Sequence, residues 1–407
     1  MGNAKLQYVQ GRPIFTNINE HKNQYPYLTK NIDTDVCIIG GGITGAITSY
    51  YFSKENISCV LLEKRRIAHL STSVTTSLLQ YELDGNYSEL KQYSKGKDII
   101  RAYKLGLKAL KEIDNIINEY GNECDYEVRD TLLYTGKKLE YEEIKNEYAI
   151  RKENGIDVKF IDEKTNPFSF DLKAGVYSIN GGAEIDPYKF TMELLTISEE
   201  NGSRIFENTE VVQLKYEDDE VKAITKYGYV VTGKIAIVAT GYNTKLFTNR
   251  TFGTKSTTFN IVTKPVKSFE GWSNKVLIRD NKDPYNYYRT TKDNRIIAGG
   301  EDVNFIPDIN NEDNGKEKYA ILEQRLKKMF PFIENIEAQY KYCGAFASTN
   351  DNLGFLGKDP EKPQLWYCLG YGANGILFAI LGGVMLSELY CGNYNEDLEL
   401  FRVDRFN

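Results

Sequence analysis

Gly40, Gly42 and Gly45 stand as G-x-G-x-x-G in DVCIIGGGITGAITSYYFSKENISCVLLEK, residues 35 to 64. In such a pattern the first glycine permits a tight turn. The second lets backbone approach a pyrophosphate, and the third lets a helix pack closely on a strand. The N–H groups that open the helix are free to meet phosphate oxygens. Glu63 closes the second apolar run, about 20 residues further on, where an adenosine ribose presents its hydroxyls. A carboxylate there also repels a 2′-phosphate. The chemistry implied is dinucleotide binding. Whether the dinucleotide carries a nicotinamide or a flavin is left open by this stretch.

The elements that must position these residues follow from the apolar pattern. Residues 35–39 and 58–63 are short apolar runs of the kind buried in a parallel sheet, and 43–54 between them is a helix. KIAIVATG, residues 234 to 241, is a further buried strand ending in glycine. Residues 86–155 are mostly helical and charged. Residues 181–214 form a loop, a helix and a strand. Tyr-, Thr- and Val-rich strands alternate over 257–305, and 316–330 is helical. Dinucleotide-fold pieces thus recur at the start, middle and end. The expected architecture is α/β: a Rossmann-like domain assembled from 1–95, 176–256 and 341–407, with residues 1–30 an arm laid on the surface. A second domain from 96–175 and 257–340 carries a mainly antiparallel mixed sheet with helices.

The 407 residues suffice for two ordinary cores, and the net charge of −6 argues against a nucleic-acid partner. Six scattered cysteines without a CxxC pair, and only two histidines, argue against a metal centre and against histidine acid/base chemistry. The thiols suit a reducing cytoplasm, and the N-terminus lacks a signal-peptide core. GILFAILGGVML, residues 375 to 386, is too short to span a bilayer and reads as a buried helix.

Three further segments carry a resemblance: HLSTSVTTSLLQ after Glu63, IVATGYNT at 237–244, and WYCLGYGANGILFAILGG at 366–383. In this order they resemble the D-amino acid oxidase-like (DAO) family of FAD-dependent oxidoreductases, which includes glycine oxidase and sarcosine oxidase, from about residue 33 to 390. The chain looks most like uncharacterised bacterial members. The resemblance implies that Gly40, Gly42, Ile43, Thr44 and Gly45 meet the pyrophosphate, with Glu63 at the ribose and Lys64 at the adenosine end. It implies that Thr72, Ser73, Thr75, Thr76, Ser77 and Leu78 line the path to the isoalloxazine, and that Val211 touches adenine. Thr240 and Gly241 end a cofactor strand. Gly370, Tyr371, Gly372, Asn374, Gly375 and Ile376 sit beside the flavin ring. Glycines there let backbone press on a flat ring, and the helix that follows aims its positive end at an anionic reduced flavin.

The resemblance also has gaps. Family arginines that hold a substrate carboxylate correspond to Phe346 and Ala373, and a lysine of the sarcosine oxidase branch to Leu377. These losses put a simple α-amino acid substrate in doubt. The covalent histidine of one branch corresponds to Val74. The covalent cysteine of another corresponds to Gly344, with Cys343 one residue away. Non-covalent FAD is therefore expected. A lysine that promotes oxygen attack corresponds to Ile297, which points to another electron acceptor.

YNYYRTTKDNRIIAGGED, residues 285 to 302, reads as a hairpin with a three-residue loop, Lys292 to Asn294. That register pairs Thr291 with Arg295, Arg289 with Ile297, Tyr287 with Gly299 and Tyr285 with Glu301, all on one face. If the face is the flavin side, Tyr287, Arg289 and Glu301 line the substrate pocket, with Glu301 on an ammonium and Arg289 on a distal carboxylate. The alternative is a structural Arg289–Glu301 ion pair. The expected function is FAD-dependent oxidation of a C–N bond of a small amine or amino acid, by hydride transfer to flavin N5. An NAD-dependent dehydrogenase, or a flavoprotein that binds FAD without oxidising amines, are the alternatives.

Overall fold

A computed structural model describes residues 8–19, 24–306, 311–372 and 374–406, with 311–314 described as backbone only. Residues 1–7 and 20–23 of the expected arm, and Ala373, lie outside the described residues.

Two sheets carry the fold. The eight-stranded sheet has a parallel centre in which Ile32–Ile39, Cys59–Leu62, Arg204–Phe206, Val230–Val238 and Leu365–Leu369 lie side by side. Val36 to Ile39, Cys59 to Leu62 and Leu365 to Leu369 are buried throughout, because both faces of this sheet are covered. On one face lie the helices Ile43–Lys54, Pro187–Glu200 and Gly375–Tyr390. The other face packs Val36's neighbour Cys37, Val60 and Val238 against an antiparallel meander, Val211–Glu217 and Glu220–Thr225, that runs into Val230–Val238. Gly375–Tyr390 is buried nearly all round, which explains its unbroken apolar sequence. Among the described residues no helix is long and apolar enough to cross a membrane.

The ten-stranded sheet is antiparallel except where Leu277–Asp280 runs parallel to Glu127–Thr135. Its middle comprises Thr254–Thr263, Ile296–Asn304, Tyr287–Thr290 and Leu277–Asp280. The helix Asn311–Met329 closes one face by burying Tyr319, Leu322, Leu326 and Met329 against Phe259, Ile261 and Ile278. Leu78–Gln80 and Ala174–Glu184 also belong to this sheet, so the chain crosses between the two sheets several times.

The arm does more than lie on the surface. Val9–Gly11 adds an edge strand to Ala338–Ser348, and Ile14 and Phe15 are buried. The apolar side chains of IF at 14–15 supply that anchor.

Candidate active site

The dinucleotide motif folds as its spacing requires. Gly40 adopts φ +116°, and a Cβ on Gly45 would stand 1.9 Å from the Gly40 carbonyl oxygen. Both glycines are therefore used for turning and close packing. A Cβ on Gly42, by contrast, would meet only Thr72 Oγ1, at 3.2 Å, so its backbone stays open to a ligand. Thr72 braces the turn by accepting from Ile43 N–H at 3.0 Å. Glu63 accepts from the N–H groups of Gly41 and Arg65, each at 2.8 Å, and burial raises its carboxyl pKa. A carboxylate has about four acceptor positions, so two stay available for ribose hydroxyls.

This cradle opens into a cavity of about 550 Å³. Its lining contains Gly40, Gly42, Ile43, Thr44, Glu63, Lys64, Thr72, Thr75, Thr76, Ser77, Leu78, Val211, Thr240, Gly241, Gly370, Gly372, Gly375 and Ile376. Segments distant in sequence thus meet around one space. Four of the expected residues do not line this space. Gly45 is spent on helix packing. Ser73 is buried and donates to the Leu70 carbonyl. Tyr371 donates to the Gly241 carbonyl at 2.9 Å and packs on Tyr242 and Phe355, tying two glycine turns together. Asn374 donates to the Glu82 carbonyl at 2.9 Å, which seats the start of the helix Gly375–Tyr390. The residues present fit an extended dinucleotide with a flat ring: open glycine backbone at one end, a helix start at the other, and the unpartnered buried Ser77 Oγ between them.

The hairpin has the expected loop and register. Asn294 is left-handed at φ 61°, Thr291 N–H donates to Arg295, and Arg289 faces Ile297 and Tyr287 faces Gly299. Tyr287 lies across Gly299, where a Cβ would come within 2.3 Å of its ring. Its hydroxyl is held by Thr258 at 2.9 Å and Asn260 at 3.2 Å. Tyr287 lines the cavity as expected.

The other two residues do not. Gly299 pairs with Asn260 and Gly300 with Phe259, but Val303 pairs with Thr257, so Glu301 and Asp302 together oppose Thr258. This is a β-bulge, with Gly300 at φ +135° and Glu301 at φ 57°. The extra residue reverses the alternation. Glu301 turns away to pair with Arg325 at 2.8 Å and Lys318 at 3.4 Å, and Asp302 enters the cavity in its place. Arg289 is buried behind the wall, donating to the carbonyls of Ser77 at 2.7 Å and Ile185 at 3.1 Å, and burial lowers its pKa. It supports the cavity wall at Ser77 without lining the cavity. An Arg289–Glu301 pair does not form either, since each has other partners.

Sequence reasoning missed Asp302, Arg279 and Tyr285, all of which line the cavity. Arg279 lies on the buried strand Leu277–Asp280 and donates from Nη1 to the Asp84 carbonyl. Tyr285 donates to Asp84 Oδ1 at 2.8 Å and lies against Tyr287, ring centroids 5.8 Å apart. Burial, with the charge of Asp84 adding to it, pushes the Asp302 carboxyl up to about 6. The paired glycines before Glu301 were the available signal for the bulge; an arginine inside LIRD was the signal for Arg279. Phe346 lines the cavity, whereas Leu377 is packed in the core.

A family model described as DAO, FAD dependent oxidoreductase, matches residues 35–389. The probable oxidoreductase OrdL of Haemophilus influenzae is 22% identical over 392 residues, covering 93% of this chain and 87% of that protein. Glycine oxidase of Bacillus subtilis is 24% identical over 388 residues, covering 91% of this chain and 97% of that protein. The crystal structure of L-proline dehydrogenase from P. horikoshii matches with a TM-score of 0.78 at 19% identity, covering 92% of this chain and 98% of that one.

Proposed function

The chain belongs to the DAO family of FAD-dependent oxidoreductases, and on that premise we propose that it oxidises the C–N bond of a small amine or amino acid with non-covalently held FAD. The observation that carries this reading is the single cavity joining the glycine cradle to a charged pocket formed by Arg279, Asp302, Tyr285 and Tyr287. When bound, FAD supplies at N5 the acceptor for a hydride from the substrate carbon. The chain binds, orients and shields. Backbone of Gly42 and Thr44 would hold the pyrophosphate, and Glu63 the ribose. The helix Gly375–Tyr390 opens at the cavity, where its positive end would stabilise a reduced flavin ring. Tyr287, fixed by Thr258 and Asn260, orients the substrate, which is where positioning lowers the barrier.

Three finer points belong to this reading. Val74 lines the cavity where one family branch has its covalent histidine, and Cys343 packs in the core cluster with Phe259 and Ile261, which supports non-covalent FAD. Ile297, 1% exposed within the core, offers no ammonium to oxygen, so an acceptor other than oxygen is expected. The exposed Cys391 and the scattered buried thiols suit the cytoplasm.

The test is anaerobic mixing of the flavin-loaded protein with a panel of amines and amino acids, read through the visible flavin bands. At least one should bleach them. A panel that leaves the bands intact, in protein that dithionite still reduces, rejects amine oxidation. Heat denaturation then separates the attachment modes: flavin in the supernatant supports non-covalent binding, and flavin in the pellet opposes it.

A further inference from the structure

The charged end of the cavity points to a substrate class. Arg279 is 4% exposed yet lines the cavity. Its Nη1 is used by the Asp84 carbonyl, but Nε and Nη2 have no hydrogen-bond partner. The Glu82 carboxylate is 4.0 Å away and is already taken by Arg151 at 2.5 Å and Thr131 at 2.7 Å. A guanidinium stays charged and offers a rigid fork of donors, and leaving such donors unmade in a buried place is costly. The fork therefore lacks a planar anion. The guanidinium carbon lies 5.5 Å over the Tyr285 ring, which further restricts its orientation.

The bulge delivers the complementary charge. Asp302 Oδ1 is buried and has no hydrogen-bond partner, whereas Asp84 is engaged by the Tyr285 hydroxyl. The same pocket thus holds one cationic fork and one carboxylate oxygen, each with unmet capacity. A simple alkylamine would satisfy Asp302 and leave Arg279 unpaired beside a second cation. A simple carboxylate would do the reverse.

We propose that the site takes a small amino acid whose carboxylate pairs with Arg279 and whose amino group is held by Asp302. The inference rests on the reading of the cavity as a flavin and substrate site. It gives carboxylate recognition to the strand Leu277–Asp280, in a chain where the positions expected for it carry Phe346 and Ala373.

The test uses matched ligands on the flavin-loaded protein without oxygen: propionate, propylamine and alanine, then hexanoate, hexylamine and norleucine. Perturbation of the flavin spectrum yields a Kd for each, whether or not the flavin is reduced. In the native chain the amino acid of a set should bind more tightly than its carboxylate or its amine. Arg279→Met should weaken amino acids and carboxylates at least tenfold and spare alkylamines. Asp302→Asn should weaken amino acids at least tenfold and spare carboxylates. Flavin content and Tm report folding; should Arg279→Met fail to fold, Arg279→Lys keeps the charge without the fork and should still weaken carboxylates severalfold. Alkylamines that bind as tightly as amino acids and ignore both Arg279 variants would overturn the proposal. So would amino acids and carboxylates that leave the native spectrum unmoved. Amino acids that bind through Arg279 and Asp302 but never bleach the flavin would instead sink the oxidation reading and leave the substrate site standing.

Discussion

The two ends of the cavity are built on different principles. The dinucleotide end is made of backbone: Gly40 turns, Gly45 packs, Gly42 stays open, and Glu63 is pinned by two N–H groups 2.8 Å away. The end proposed for substrate is made of side chains, and whether Glu301 or Asp302 reaches the cavity depends on one inserted residue. Local spacing is enough to specify the first. The second changes completely when strand alternation slips by one.

The largest effect should come from breaking the backbone end. Gly45→Ala sets a Cβ against a main-chain carbonyl that cannot move aside. We expect a loss of about 3 kcal/mol or outright failure to retain flavin, measured by flavin content and Tm. Normal flavin content in this variant would show that the cradle tolerates looser packing than its geometry implies.

Gly300→Ala attacks the substrate end through the bulge. Gly300 sits at φ +135°, and a Cβ would stand 2.8 Å from the Tyr285 carbonyl. A cost of about 2 kcal/mol is expected, with flavin retained and substrate-driven bleaching lost. Equal loss of flavin and bleaching would mean that the two ends are not separable.

Asp302→Asn sharpens the contrast through pH. The native carboxyl, raised to about 6 mainly by burial, holds its proton more tightly than in the unfolded chain. Native stability should therefore fall as pH rises from about 4 to about 6 and level off above. Asn does not ionise, so the variant should be more stable at pH 7 by about 2 kcal/mol, discounted for partial solvation, and equal below pH 4. Urea melts across this range read the difference, and parallel curves for the two proteins would place Asp302 in solvent.

The smallest effect is expected at Glu301. Glu301→Gln removes two partly exposed ion pairs, to Arg325 and Lys318, worth under about 1 kcal/mol together. Bleaching by substrate should be unchanged. A variant that loses bleaching while keeping Asp302 would reverse the assignment of the two acids.

Legibility in the sequence followed the same division. The G-x-G-x-x-G turn and the late glycine turn at Gly370 were readable because backbone carries them at a fixed spacing, and Glu63 because its carboxylate sits at a fixed distance from that turn and is pinned to it. The hairpin loop was readable too, since Asn294 marks its left-handed position. Strict period-two alternation through Gly300 places Glu301 on the cavity face; the bulge puts Asp302 there. Arg289 lies off the cavity for a different reason. Its place on the strand was correct, but the face was already covered by Ser77 and Ile185 from segments far away in sequence. Tyr371 and Asn374 were correctly placed beside the late turn, yet their side chains serve Gly241 and Glu82 and not the cavity.

By itself, the sequence determined the α/β class, the dinucleotide cradle and the family, because glycine spacing and buried apolar runs act over a few residues and need no distant partner. Tertiary structure decided which charges line the cavity. Arg279, Asp302 and Tyr287 come from three strands, and only the register between those strands, with its bulge, sets which side of the sheet each one occupies.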